Sequence, residues 1–135
     1  MKIKKTIKLL LAGALLLPVM VDAFPPAPHH AFYGMVRDEF GRPLEGEKVE
    51  VLFETSTGRV IRADVGPGTT PGINYWLKVP MDSGATANLY HPAAMRMAMP
   101  YKIRVRIGAR VYLPIEMIGD LAKMGQPGAE TLLNL

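Results

Sequence analysis

Residues 33–53 read YGMVRDEFGRPLEGEKVEVLF. Their skeleton is Gly34-x-Val36-x-Asp38-x-x-Gly41-x-Pro43-Leu44-x-Gly46-x-x-Val49-x-Val51. Two segments of period two flank a centre dense in Asp, Gly and Pro, the pattern of strand, ordered turn, strand. Asp38 suits an Asx-type turn, Gly41 supplies a positive φ, and Pro43 presets its own φ. The strands are expected over residues 31–37 and 48–55. Val49, Val51 and Phe53 share one face of the second strand. Lys48, Glu50 and Glu54 share the other, which Leu52 interrupts, so that face is expected to be partly covered.

The chain downstream continues in short alternating segments. Ser56-Thr57-Gly58 fits a three-residue hairpin loop with Gly58 in the left-handed region. That register sets Phe53 opposite Ile61, Val51 opposite Ala63, and Glu50 opposite Asp64, a like-charged pair expected to fray. GPGTTPG at 66–72 is a loop. Residues 73–79 form a strand with Tyr75, Leu77 and Val79 on one face and Trp76 on the other, ended by Pro80. Residues 81–100 are the least regular, with one extended segment expected around Met95 to Met99.

Tyr101 to Met117 alternates as a hairpin. A two-residue turn at Gly108-Ala109 would mix its faces, so the expected loop is Gly108 to Arg110. This places Ile107 opposite Val111, Val105 opposite Leu113, and Lys102 opposite Glu116. Pro114 cannot donate to a ladder and marks an edge. Residues 119–129 are a loop or one helical turn, and 130–135 a last short strand. About seven short strands with Gly/Pro turns predict an all-β fold, a seven-stranded antiparallel immunoglobulin-like β-sandwich over 31–135.

The first 23 residues read as a signal peptide. Lys2, Lys4, Lys5 and Lys8 precede an apolar run, Leu9 to Val21, and Val21-Asp22-Ala23 offers a cleavage site. That run is 13 residues, short of the about 20 a membrane-spanning helix needs; an uncleaved anchor is the alternative, and the only expected membrane contact. The protein is therefore expected to be exported, to a periplasm or to the medium. FPPAPHH at 24–30 is a Pro-rich extended lead-in, with His29 and His30 expected in solvent.

The whole chain carries 16 Lys+Arg against 12 Asp+Glu; removing the leader's four Lys and one Asp leaves 12 against 11, or +1. The basic balance thus belongs largely to the leader and gives no argument for nucleic-acid binding. With no cysteine, an exported fold has no disulfide to staple it, and packing and strand ladders must hold it.

The skeleton at 34–51 resembles the first two strands of carboxypeptidase regulatory-like domains, a transthyretin-like group of seven-stranded sandwiches. The likeness continues in Thr57-Gly58 and in Gly72-x-x-Tyr75-x-Leu77-x-Val79-Pro80, and covers about residues 31–80. The resemblance implies a non-catalytic module of exported or envelope proteins, one that assists another protein. No second domain long enough to be the one assisted is expected in this sequence.

Chemistry is sparse. The C-terminal Tyr-Arg-Gly-Ser of one transthyretin-like hydrolase branch is absent. Ser56 and Ser83 are the only serines, and neither has a nucleophile elbow. HExxH and phosphate-binding glycine loops are missing. The expectation is no catalytic residue, no cofactor and no enzyme activity. Three features remain. Lys102, Arg104 and Arg106 with Tyr112 form a basic strand face able to grip an acidic glycan or partner, balanced by Glu116. Trp76 is a sugar-stacking platform if exposed; for a lone strand Trp, the core is the expected place. Met95, Met97 and Met99, with His91 upstream, place soft thioethers on one strand face, a donor set suited to Cu(I) or simply a flexible core filling. The partner expected is another envelope or secreted protein, or a glycan.

Overall fold

The structure, a computed structural model, describes residues 27–46, 48–68, 70–119 and 125–135. The leader, residues 24–26 of the Pro-rich lead-in and part of the connection at 119–129 lie outside the described residues. The rest is all-β, in eight strands where seven were expected: β1 (Ala27–Gly34), β2 (Val49–Thr55), β3 (Val60–Asp64), β4 (Tyr75–Met81), β5 (Tyr101–Ile107), β6 (Arg110–Tyr112), β7 (Ile118–Gly119) and β8 (Glu130–Asn134). Two four-stranded sheets form, in the orders β4-β1-β8-β7 and β3-β2-β5-β6. The sandwich is not purely antiparallel, because β1 and β8 pair in parallel, Phe32 opposite Thr131 and Tyr33 opposite Leu132.

Alternation turns one face of each sheet inward. Phe32, Leu77, Val79 and Leu133 from the first sheet meet Val51, Phe53, Ile103 and Val105 from the second. His30, Phe32, Phe53 and Tyr101 stack as a column of rings across the gap, with successive centroids 4.1, 5.4 and 5.1 Å apart. Each fully buried phenylalanine contributes about 1.5–3 kcal/mol.

The central turn forms as expected. Asp38 Oδ1 accepts from the N–H groups of Phe40 (2.9 Å) and Arg42 (2.8 Å). Val36 beside it is braced by a residue the sequence did not single out. Asn74 Oδ1 accepts from Val36 N–H at 2.8 Å, and its Nδ2 donates to the carbonyls of Val36 (3.1 Å) and Leu44 (3.0 Å).

The β2–β3 register is the expected one, with Phe53 opposite Ile61 and Val51 opposite Ala63. Glu50 opposite Asp64 holds rather than frays, because Arg106 on the other flank of Glu50 neutralises its carboxylate. The β5–β6 register is a correction: Ile107 faces Arg110, Arg106 faces Val111, and Val105 faces Tyr112. Gly108 at φ 59° begins a two-residue turn of the kind that needs glycine in its first position. The mixed faces that argued against this register carry no penalty, since Val111 and Leu113 lie in solvent rather than over the core. β6 ends at Tyr112, so Lys102 has no Glu116 opposite it; on its other side it faces Glu54 of β2. Pro80 does not end β4, which runs on to Met81; β4 is an edge strand of its sheet, where a missing N–H is tolerated.

His30 is fully buried, not solvated. Its Nδ1 accepts from Gln126 N–H at 3.1 Å, so Nε2 carries the proton and donates to Thr131 Oγ1 at 2.8 Å. Burial lowers the imidazole's affinity for a second proton. Its contribution to stability is complete above the usual imidazole value of 6.5 and is lost as pH falls from there through the lower folded value. The urea midpoint is expected to drop between about pH 7 and about pH 5, and His30→Gln to flatten that drop. A variant with the wild-type pH profile would show that another group is responsible.

Candidate functional site

The outer face of the first sheet carries a stacked aromatic pair. Trp76 lies on β4 opposite Tyr33 of β1, and Tyr33 lies opposite Leu132 of β8. These three side chains therefore cross three strands in one row. Trp76 is 45 % exposed, which overturns the expectation of a core indole. Its position follows from alternation: Tyr75, Leu77 and Val79 take the inner face, leaving Trp76 and Lys78 outward. The indole stacks on the Tyr33 ring at 4.7 Å between centroids and 13° between planes. The pair presents a rigid, wide π-surface with little rotamer freedom to lose on binding.

The next row is Lys78, Ala31 and Glu130. Ala31 is too small to fill its place between the two long side chains, and an open depression of about 290 Å³ results. Trp76, Lys78, Glu130, His29 and the backbone at Gly128-Ala129 line it. Among the described residues no ion pair joins Lys78 to Glu130, so one ammonium donor and one carboxylate acceptor remain available beside the ring. The alternation Trp76-x-Lys78 was visible in the sequence. Its meeting with His29, Ala31 and Glu130 was not, because it depends on the pairing of β1 with β4 on one side and, in parallel, with β8 on the other.

Arg104 and Arg106 lie on the other sheet. Arg106 pairs with Glu50, and Arg104 Nη1 reaches Glu54 Oε2 at 3.4 Å. The basic strip read from β5 is thus interleaved with β2's own carboxylates, which its alternation had already placed outward. Tyr112 faces Val105 and so lies on the opposite face from both arginines. The basic face with an aromatic is corrected on that ground: Trp76, Tyr112 and the two arginines occupy three different surfaces.

The thioethers are likewise separated. Met95 belongs to the core and pairs only as an isolated bridge with Met81. Met97 and Ala98 form a turn closed by Met99 N–H to Arg96 C=O at 3.2 Å, with Ala98 at φ 63°. The chain reverses there, so Met97 points to solvent while Met99 packs half-buried against the core, its Sδ accepting from Arg96 N–H at 3.2 Å. His91 Nδ1 is occupied locally by Ala93 N–H at 3.1 Å. The expected extended segment with three thioethers on one face does not form.

That region is shaped instead by Asp82 and Arg96. Asp82 accepts from the N–H groups of Tyr90 (2.8 Å) and Gly84 (2.7 Å) and from Arg96 Nε (3.1 Å). The two backbone donors, with Arg96, hold its carboxyl below the usual carboxylate range. The Arg96 guanidinium also donates to the carbonyls of Thr86, Ala87 and Asn88. This clasp is structural, since its donors and acceptors are used up within the loop. No protein-family model, curated protein or solved structure matches the chain.

Proposed function

We propose that this protein is an exported, non-catalytic accessory module of the carboxypeptidase regulatory-like kind, acting through protein contacts at the cell envelope. The observation that carries the reading is the apolar row Trp76–Tyr33–Leu132 on an open sheet face. Large rigid aromatics with an aliphatic neighbour are the side chains that dominate protein interfaces. Support for export comes from the basic and apolar pattern of residues 1–23. Support for the family comes from the skeleton at 34–51, whose Asp38 closes the turn between the two sheets.

A second reading, carbohydrate binding, rests on a specific feature of the same face. A stacked indole beside Lys78, Glu130 and His29 offers an apolar platform with mixed donors and acceptors, the combination that suits a neutral sugar ring.

One variant tests both. Trp76→Ala removes the platform from a half-exposed position and is expected to leave the fold intact. Crosslinked partners from the native envelope should be retained about tenfold less by the variant than by the wild type. A glycan array probed with both proteins reports the second reading. Equal retention by wild type and variant in both assays would remove this face from the function.

A further inference from the structure

The second sheet ends in the open at β6, and the chain beyond it stays apolar. Val111, Leu113 and Ile115 are all exposed, Leu113 at 73 % and Ile115 at 94 %. Among the described residues, no backbone hydrogen bond involves Leu113 to Met117. The direction of the unused groups follows from the register. In a two-residue hairpin the closing pair, here Ile107 and Arg110, exchanges both of its hydrogen bonds. Alternation then points the N–H and C=O of Val111 away from β5 and those of Tyr112 back toward Val105. β6 ends at Tyr112 and the chain bends at Ile115; straightened onto a partner strand, the same alternation would turn Leu113 and Ile115 outward and Pro114 inward, where its missing N–H takes nothing from an outward ladder.

Residues 110–116, RVYLPIE, are complementary to themselves when reversed. Laid antiparallel on a second copy about a two-fold axis at Leu113, Val111 meets the partner's Ile115 and Leu113 meets the partner's Leu113. Arg110 meets the partner's Glu116, and by symmetry this ion pair occurs twice. Tyr112 meets the partner's Pro114. Every outward-bonding position is apolar, and both charged ends are matched. An isologous contact requires such self-complementarity, whereas a foreign strand does not.

The geometry points to β6 as a dimerisation strand: the chain pairs with a second copy of itself over Arg110 to Glu116, antiparallel about Leu113. The β3-β2-β5-β6 sheets of the two copies then become one sheet of eight strands. The pairing covers an edge that would otherwise be a template for indiscriminate strand addition. It lies on the other sheet from Trp76 and is independent of the function proposed for that face.

Sedimentation equilibrium of the purified protein over a concentration series is expected to give the mass of two chains, falling toward one on dilution. Arg110→Glu and Glu116→Arg should each weaken association about tenfold or more, because each places like charges opposite one another at two positions. The double swap should restore the dimer, and mixing the two single variants should produce a mixed one. Amide exchange on the unaltered protein avoids any question of folding: Val111 and Leu113 should slow as concentration rises, while Tyr112 should not change. A single chain at every concentration, a dimer indifferent to the swaps, or exchange at Val111 and Leu113 independent of concentration would each overturn the proposal.

Discussion

Gly34→Ala is expected to abolish the folded state. β1 lies between β4 and β8, and at Gly34 the backbone of β8 comes against the position a side chain would take. A Cβ there would fall on the Leu133 carbonyl oxygen and lie 2.7 Å from the Leu133 carbonyl carbon. Those atoms are not the far end of a flexible side chain. Leu133 is fully buried and the chain is held on both sides of it: residues 130–132 pair with 31–33 of β1, while beyond it Asn134 Oδ1 accepts from Met35 N–H at 2.9 Å and Leu135 N–H donates to Met35 C=O at 3.0 Å. Relief requires β1 and β8 to separate. Ordinary overpacking costs about 1–3 kcal/mol because side chains give way; here the alternative is loss of a central strand pairing, comparable with the about 5–15 kcal/mol of net stability of a whole domain. Circular dichroism of the soluble fraction should show little native sheet. A variant within about 1 kcal/mol of wild type would mean that the strands adjust, and that the close approach is not required.

Asn74→Ala is expected to cost about 3 kcal/mol. The amide makes three bonds to the backbone of residues 36 and 44, and Val36 itself is buried. Truncation strands the Val36 N–H away from water, which alone costs about 1–3 kcal/mol, and removes two further bonds. Val36 C=O keeps the N–H of Leu44 at 2.9 Å, so the turn loosens rather than unravels. Denaturant titration should show the midpoint shifted, and amide exchange should quicken first at Val36. A loss below about 0.5 kcal/mol would imply that solvent reaches those groups without effect.

These two residues show where sequence reading reaches its limit. The β2–β3 hairpin was legible because its two faces differ and its loop has glycine where the chain reverses, so a slip by one residue would bury Glu50 or Glu54. The β5–β6 hairpin was not, because past Ile107 no core distinguishes one register from the next, and the turn alone chooses. Trp76 illustrates a conflict between two signals. Its alternation with Leu77 pointed outward, its rarity and bulk pointed inward, and the strand's period prevailed. For Asn74 and His30 there was no local signal, since their partners are distant along the chain; for Asp82 only the bond to Gly84 N–H was local, and the meeting with Arg96 was not readable. The neutralisation of Arg104 and Arg106 was readable in principle: Glu50 and Glu54 had been placed outward on β2, and only the pairing of β2 with β5 was missing.

The parallel pairing of β1 with β8 also has a consequence in time. Met35 and Asn134, bonded to each other, are 99 positions apart in sequence. As the chain is synthesised, β1 and β4 exist well before the strand that belongs between β1 and β7. Until residues 130–134 arrive, the first sheet has a gap in the middle and the ring column lacks the threonine that fixes His30. Ordering so distant a contact comes late and slowly, on the millisecond-to-second scale of folds dominated by non-local pairing. The growing chain therefore stays open and threadable until β8 has been made, and β8 closes the sandwich.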